Sequence, residues 1–149
     1  VIQAPGARDD ENIYAFENAV AALGWMCEFQ SGALDASVIL PSWLANLPLT
    51  EDKVEARNVH AQLMRLLETN SGALMGAQFE HVPRVVSVLA DVLPTSTLSS
   101  KLRLVEPDVA AKMKAFLIQM QSQMPQDKLA AAWGVLSTEK QAALQAALQ

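Results

Sequence analysis

The chain has 149 residues, 51% hydrophobic, 18% charged and 5% aromatic, with a formal net charge of −5. That balance is too apolar for a disordered tail and gives enough material for a hydrophobic core. An acidic chain gains nothing from counterion release, so nonspecific nucleic-acid binding is excluded as a role. The lone cysteine, Cys27, allows neither an intrachain disulfide nor a cysteine-based zinc site.

Residues 1–10, with Pro5, Gly6 and Arg8-Asp9-Asp10, read as a flexible lead-in. The absence of an initiating methionine leads us to expect a fragment or a processed product, and no signal peptide is evident. From Glu11 the pattern is helical. Ile13, Phe16, Val20, Leu23, Met26 and Cys27 recur at three- and four-residue steps, and Trp25 and Phe29 widen the apolar surface. Gly32 follows as a stop signal. Asp35 caps a second helix reaching about Leu47, which Pro48 ends.

Thr50 is the expected cap of a third helix, with Glu51 and Asp52 in its first turn and Val59, Leu63, Leu66 and Leu67 as its buried row. Asn70-Ser71-Gly72 stops it, and a loop through Gly76 leads to a fourth helix over about 79–93, closed by Pro94. Residues 94–105 form a polar connector. A fifth helix starts near Pro107 and carries Val109, Met113, Phe116, Leu117 and Met120. Pro125 separates it from a sixth helix, and Ser137 caps a seventh. No stretch reads as a strand, so the expected class is all-α.

A closed bundle and a stack of helical hairpins compete as architectures. Spacing favours the stack. Leu40-Pro41, with Leu44 and Leu47, is echoed by Val82-Pro83, with Val86 and Leu89, at an offset of 42 residues. Such a period lies in the HEAT and armadillo range. The expected fold is a short right-handed solenoid segment of HEAT-like hairpins. Its parts are one repeat over 11–48, a second over 49–93, the connector 94–105, and a terminal repeat with a capping helix over 106–149.

Catalytic chemistry is hard to find. His60 and His81 are the only histidines, and neither belongs to a Ser–His–Asp or Cys–His set with motif spacing. Glu51, Asp52 and Glu55 read as helix-start charges on a solvated face. Cys27, at a core-facing step, reads as a buried small hydrophobe. The expectation is a non-enzymatic chain with no metal and no cofactor.

Trp43 and Asn46 share a helix face and could hold an extended peptide, although packing of Trp43 between repeats is the more economical reading. Arg84 and Asp91 occupy the equivalent helix of the next hairpin, so Trp43, Asn46, Arg84 and Asp91 together are candidate peptide contacts on one groove. Charge is uneven: −7 up to Leu93 and +2 beyond it. An acidic body can steer basic peptides toward itself.

The run from Leu40 to Ala56, LPSWLANLPLTEDKVEA, resembles a stretch near the carboxyl end of importin-β3-type karyopherins, the importin-5 subfamily. Ala19 to Gly24, Leu67 to Asn70, Val82 to Val86, Trp133 to Ser137 and Gln141 to Gln145 follow the same family in order, so the similarity covers most of residues 11–149. The resemblance implies a nuclear import receptor, cycling between cytoplasm and nucleus, whose HEAT repeats bind protein cargo and nucleoporin FG repeats and release cargo to Ran–GTP. It implies that the principal Ran surface lies in repeats absent here, so no Ran contact transfers to a numbered residue. It also implies that second helices, with Trp43, Asn46 and Arg84, face the concave side. The alternative is a free-standing helical adaptor unrelated to transport. No nucleic acid or membrane is expected as a partner. The apolar surface of the 11–30 helix leads us to expect self-association.

Overall fold

A computed structural model describes residues 2–30, 32 and 34–149 of the chain. Val1, in the expected lead-in, and Ser31 and Ala33, in the first expected repeat, lie outside the described residues. Among the described residues there are eight α-helices, one 3₁₀ turn and no strand. The all-α expectation holds.

Helix α1 spans Ile13–Phe29 and α2 spans Ala36–Leu44. The Asp35 side chain accepts from the Ser37 amide at 3.0 Å and so satisfies an otherwise free donor at the start of α2. Helix α3, Lys53–Thr69, is capped by Asp52 rather than by the expected Thr50. The Asp52 carboxylate accepts from the amides of Val54 (3.0 Å) and Glu55 (3.1 Å). Thr50 lies two residues before the cap, where its amide and those of Glu51 and Asp52 are held by a carboxylate of α1, described below.

Where a loop was expected around Ser71, a one-turn helix α4, Ser71–Met75, follows α3 directly. Helix α5 covers Val82–Val92, starting three residues later than the periodicity predicts. Phe79 explains the delay: its φ of 62° is left-handed and cannot belong to a right-handed helix. The expected polar connector is partly ordered core instead. It opens with the 3₁₀ turn Leu93–Thr97, and Leu104 and Val105 are buried. The Thr95 hydroxyl accepts from the Leu104 amide at 2.9 Å, closing the segment on itself. Helices α6 (Pro107–Gln123), α7 (Gln126–Gly134) and α8 (Thr138–Leu148) complete the chain. Ser137 caps α8, as expected, accepting from the Lys140 amide at 3.2 Å.

The helices pack in two rows. In one row α1 lies against α3, and α3 against α6. In the other, α2 meets α4, α4 meets α5, and α5 meets both α7 and α8. Contacts of α1 with α2 and of α3 with α4 join the rows. One apolar core runs between them, with Trp43, Phe16, Leu40, Leu44, Leu63, Leu66, Leu89 and Met113 among its largest sealed side chains. Gly24 lets α1 come close to α3: a Cβ there would sit 2.2 Å from Gln62 Oε1 and 2.7 Å from Trp43 Nε1.

Candidate functional site

The four residues expected to line a groove serve instead as links between helices. Trp43 is fully buried, and its indole N–H donates to the Val20 carbonyl of α1 at 3.0 Å. A side chain with no exposed surface and a used polar atom offers nothing to a peptide, which corrects the groove-facing expectation for Trp43. Asn46 accepts from Arg8 at 2.9 Å and donates to the Ser42 carbonyl at 2.8 Å. Arg8 in turn lies 4.4 Å over the Phe16 ring, so the lead-in is tied to both α1 and the end of α2.

Arg84 reaches from α5 to the carbonyls of Leu44, Ala45 (3.0 Å) and Leu47, capping the carboxyl end of α2. A guanidinium there meets the negative end of the helix dipole and supplies donors to unpaired carbonyls. Asp91 pairs with Lys140 of α8 at 2.7 Å. Asn46 and Arg84 therefore both bind the end of α2, whereas Asp91 is engaged at the far end of α5. The sequence put all four residues on helices; Trp43 is on α2 and Arg84 and Asp91 are on α5, whereas Asn46 lies just past the end of α2. It could not show that their polar atoms are already satisfied within the chain.

Two buried polar groups that spacing did not single out tie the first row together. Glu17 of α1 is buried, and its carboxylate accepts from three successive backbone amides: Thr50 at 2.7 Å, Glu51 at 3.0 Å and Asp52 at 2.7 Å. These amides precede α3, so a charge on α1 organises the entry to α3. The sequence signal was slight: an acid between Phe16 and Val20, beside the core-facing row.

His60 of α3 is also buried. Its Nε2 accepts from the Leu49 amide at 3.3 Å, which leaves Nδ1 to carry the proton and donate to the Leu104 carbonyl at 2.8 Å. One imidazole thus bridges the segment before α3 and the segment before α6. Burial pushes its pKa down to about 4, against the opposing pull of the Leu104 carbonyl and the Glu17 charge. Arg57 reinforces the second junction, donating to the Ser100 carbonyl at 3.0 Å and pairing with Glu106 at 3.0 Å.

One concave surface lies between α1 and α3. A groove of about 520 Å³ is lined by Trp25 and Phe29 on one side and by Glu55, Asn58 and Arg65 on the other. Trp25 and Phe29 are exposed and their rings lie 5.2 Å apart in a tilted pair. Arg65 is held by Glu28 through contacts of 2.5 and 3.0 Å, and it holds the Glu28 carboxyl below the usual carboxylate range. Chemically this groove can offer aromatic faces, amides and one carboxylate.

Among the described residues no group of three or more metal-ligating side chains is assembled. No helix among them is long and apolar enough to cross a membrane. Cys27 is a buried free thiol whose pKa is raised by desolvation, the condition of a packing residue and not of a nucleophile. No family model matches the chain.

Proposed function

We propose that this chain is a stretch of a helical-repeat receptor that binds other proteins, and that the receptor carries cargo through nuclear pores under Ran–GTP control. The observation that carries the reading is the row packing of α1 on α3 and α3 on α6, with shorter helices forming a second row. Such rows are what stacked HEAT-like hairpins produce, and the 42-residue recurrence from Pro41 to Pro83 gives the same unit from the sequence. Glu17 and His60 fit this reading as locks between successive units, because each joins one first-row helix to the segment entering the next. The transport role itself rests on the resemblance of residues 40–56 and the segments that follow to importin-β3-type karyopherins.

The test uses the native protein, captured with an antibody against this chain. It is expected to be retained on an FG-repeat resin and to release its bound proteins when Ran loaded with a non-hydrolysable GTP analogue is added. A native protein that ignores both the resin and Ran–GTP would overturn the transport reading and favour the free-standing adaptor.

A further inference from the structure

Residues 97–102 are all exposed, and residues 98–103 form a turn between the 3₁₀ segment and the buried pair Leu104 and Val105. Two serines, Ser99 and Ser100, stand in this turn, and Lys101 and Arg103 follow them. The Ser99 carbonyl is spent inside the turn, accepting from the amides of Leu102 at 2.9 Å and Arg103 at 3.0 Å. The Ser100 carbonyl instead meets α3, where it accepts from Arg57 at 3.0 Å. Ser100 is therefore an exposed hydroxyl set beside a guanidinium.

The charges around Ser100 do not balance. Arg57 and Arg103 both pair with Glu106, Arg57 through its Nε at 3.0 Å, so two guanidiniums share one carboxylate. Arg103 holds that carboxylate through a terminal nitrogen, and its Nε is buried without an acceptor. Asp108, in the first turn of α6, makes no ion pair with either arginine. In a chain of net charge −5, this junction carries a local excess of positive charge with donors to spare.

A pair of arginines of this kind takes an oxyanion with several acceptor oxygens. A phosphoryl group on Ser100 fits. A serine hydroxyl lies within about 4 Å of its own carbonyl oxygen. The oxygens of a phosphate on it project roughly 2.5 Å further. Arg57, bonded to the Ser100 carbonyl, comes within that reach, and Arg103 stands beside Arg57 on the same Glu106 carboxylate. The phosphate carries about −1.5 to −2 charge at neutral pH, more than a carboxylate, so it competes with Glu106 for both guanidiniums.

We propose that Ser100 is a phosphorylation site and that Arg57 and Arg103 receive its phosphate. In the transfer, Ser100 Oγ bonds to the γ-phosphorus of a nucleoside triphosphate held by a protein kinase. The bond from that phosphorus to the β–γ bridging oxygen breaks, the hydroxyl proton passes to the base of the kinase, and the nucleoside diphosphate leaves. Lys101 and Arg103 supply the positive charge that a kinase with an acidic substrate groove recognises. His60 already fixes the buried end of this segment through the Leu104 carbonyl, and the phosphate fastens its exposed end to α3.

The test begins with the 149-residue chain, ATP and a protein kinase selective for serines followed by basic residues, with the sites located by mass spectrometry. Most of the phosphate taken up is expected on Ser100, and Ser100→Ala should lose it. Phosphorus NMR on the purified phosphorylated chain then reads the receptor. The phosphoserine should titrate near pH ~5 in the folded chain and near pH ~6 in urea, because adjacent cations favour the dianion. That comparison needs no substitution. Arg57→Gln and Arg103→Gln, each checked for retained helicity, should each move the folded value at least halfway back to that in urea. The phosphorylated chain should also melt about 2–4 °C above the unmodified one. A folded chain left unmodified at Ser100, a phosphoserine that titrates alike in the folded chain and in urea, a lowered value that survives in both folded arginine variants, or a melting temperature that does not rise would each overturn the proposal.

Discussion

The imidazole of His60 makes stability depend on pH in a window that few other groups share. In the folded chain it is neutral, and its pKa is held down to about 4 by burial. In the unfolded chain a histidine titrates near 6.5. Between these values the unfolded state binds a proton that the folded state refuses, so stability must rise with pH across the window and fall on acidification. With a slope of at most 1.36 kcal/mol per pH unit, wild-type stability should drop by about 2 kcal/mol from pH 6.5 to 4.5, with the loss ending near pH 4. Carboxylates whose pKa is lowered, Glu28 among them, lose their contribution only at lower pH, which leaves pH 5–6.5 to His60. His60→Leu removes the titration and both hydrogen bonds. It leaves the Leu49 amide and the Leu104 carbonyl unpaired, which costs about 1–3 kcal/mol for each buried group. The variant should therefore be less stable than wild type at pH 7 by about 2–6 kcal/mol, and that gap should narrow by about 2 kcal/mol by pH 4.5. Urea unfolding followed by circular dichroism, at half-unit steps from pH 4.5 to 7.5, measures both effects. A wild-type stability flat between pH 5 and 6.5, or an equal slope in His60→Leu, would refute the reasoning.

Two further substitutions probe the buried contacts between helices. Trp43→Ala should cost about 3–5 kcal/mol in urea unfolding, because it empties a sealed core position and frees the Val20 carbonyl; a loss under 1 kcal/mol would mean that Trp43 does not pack between α1 and α2. Glu17→Ala should cost about 2–4 kcal/mol by removing the acceptor of three amides, and hydrogen exchange at residues 50–52 should speed up locally even where global stability is restored by osmolyte.

Residues 13–29 show how far the linear pattern reaches. Steps of three and four placed Phe16, Val20 and Cys27 inside and predicted a helix of nearly the observed length, because those positions follow the 3.6-residue turn whatever packs on them. The same arithmetic placed α6 at Pro107 and α8 after Ser137, where a favoured first-turn residue and a capping hydroxyl act locally. It also flagged Trp25 and Phe29 as surplus apolar surface, and both are exposed.

What failed depended on partners distant in the chain. Thr50 carries the right side chain for a cap, but Asp52 caps α3, at the end of a segment whose amides are held by Glu17, 33 residues before Thr50. Residues 94–105 look like a solvated link, yet Leu104 and Val105 are drawn into the core beside His60, 44 residues away from Leu104. Arg84 and Asn46 were legible as polar residues of two successive hairpins, but their use of donors and acceptors on the end of α2 was not. Periodicity records which side of a helix avoids water, since that preference belongs to each residue alone. The pairing of a carboxylate with three amides, or of one imidazole with two loops, belongs to the geometry of packed helices, and only the tertiary structure decides it.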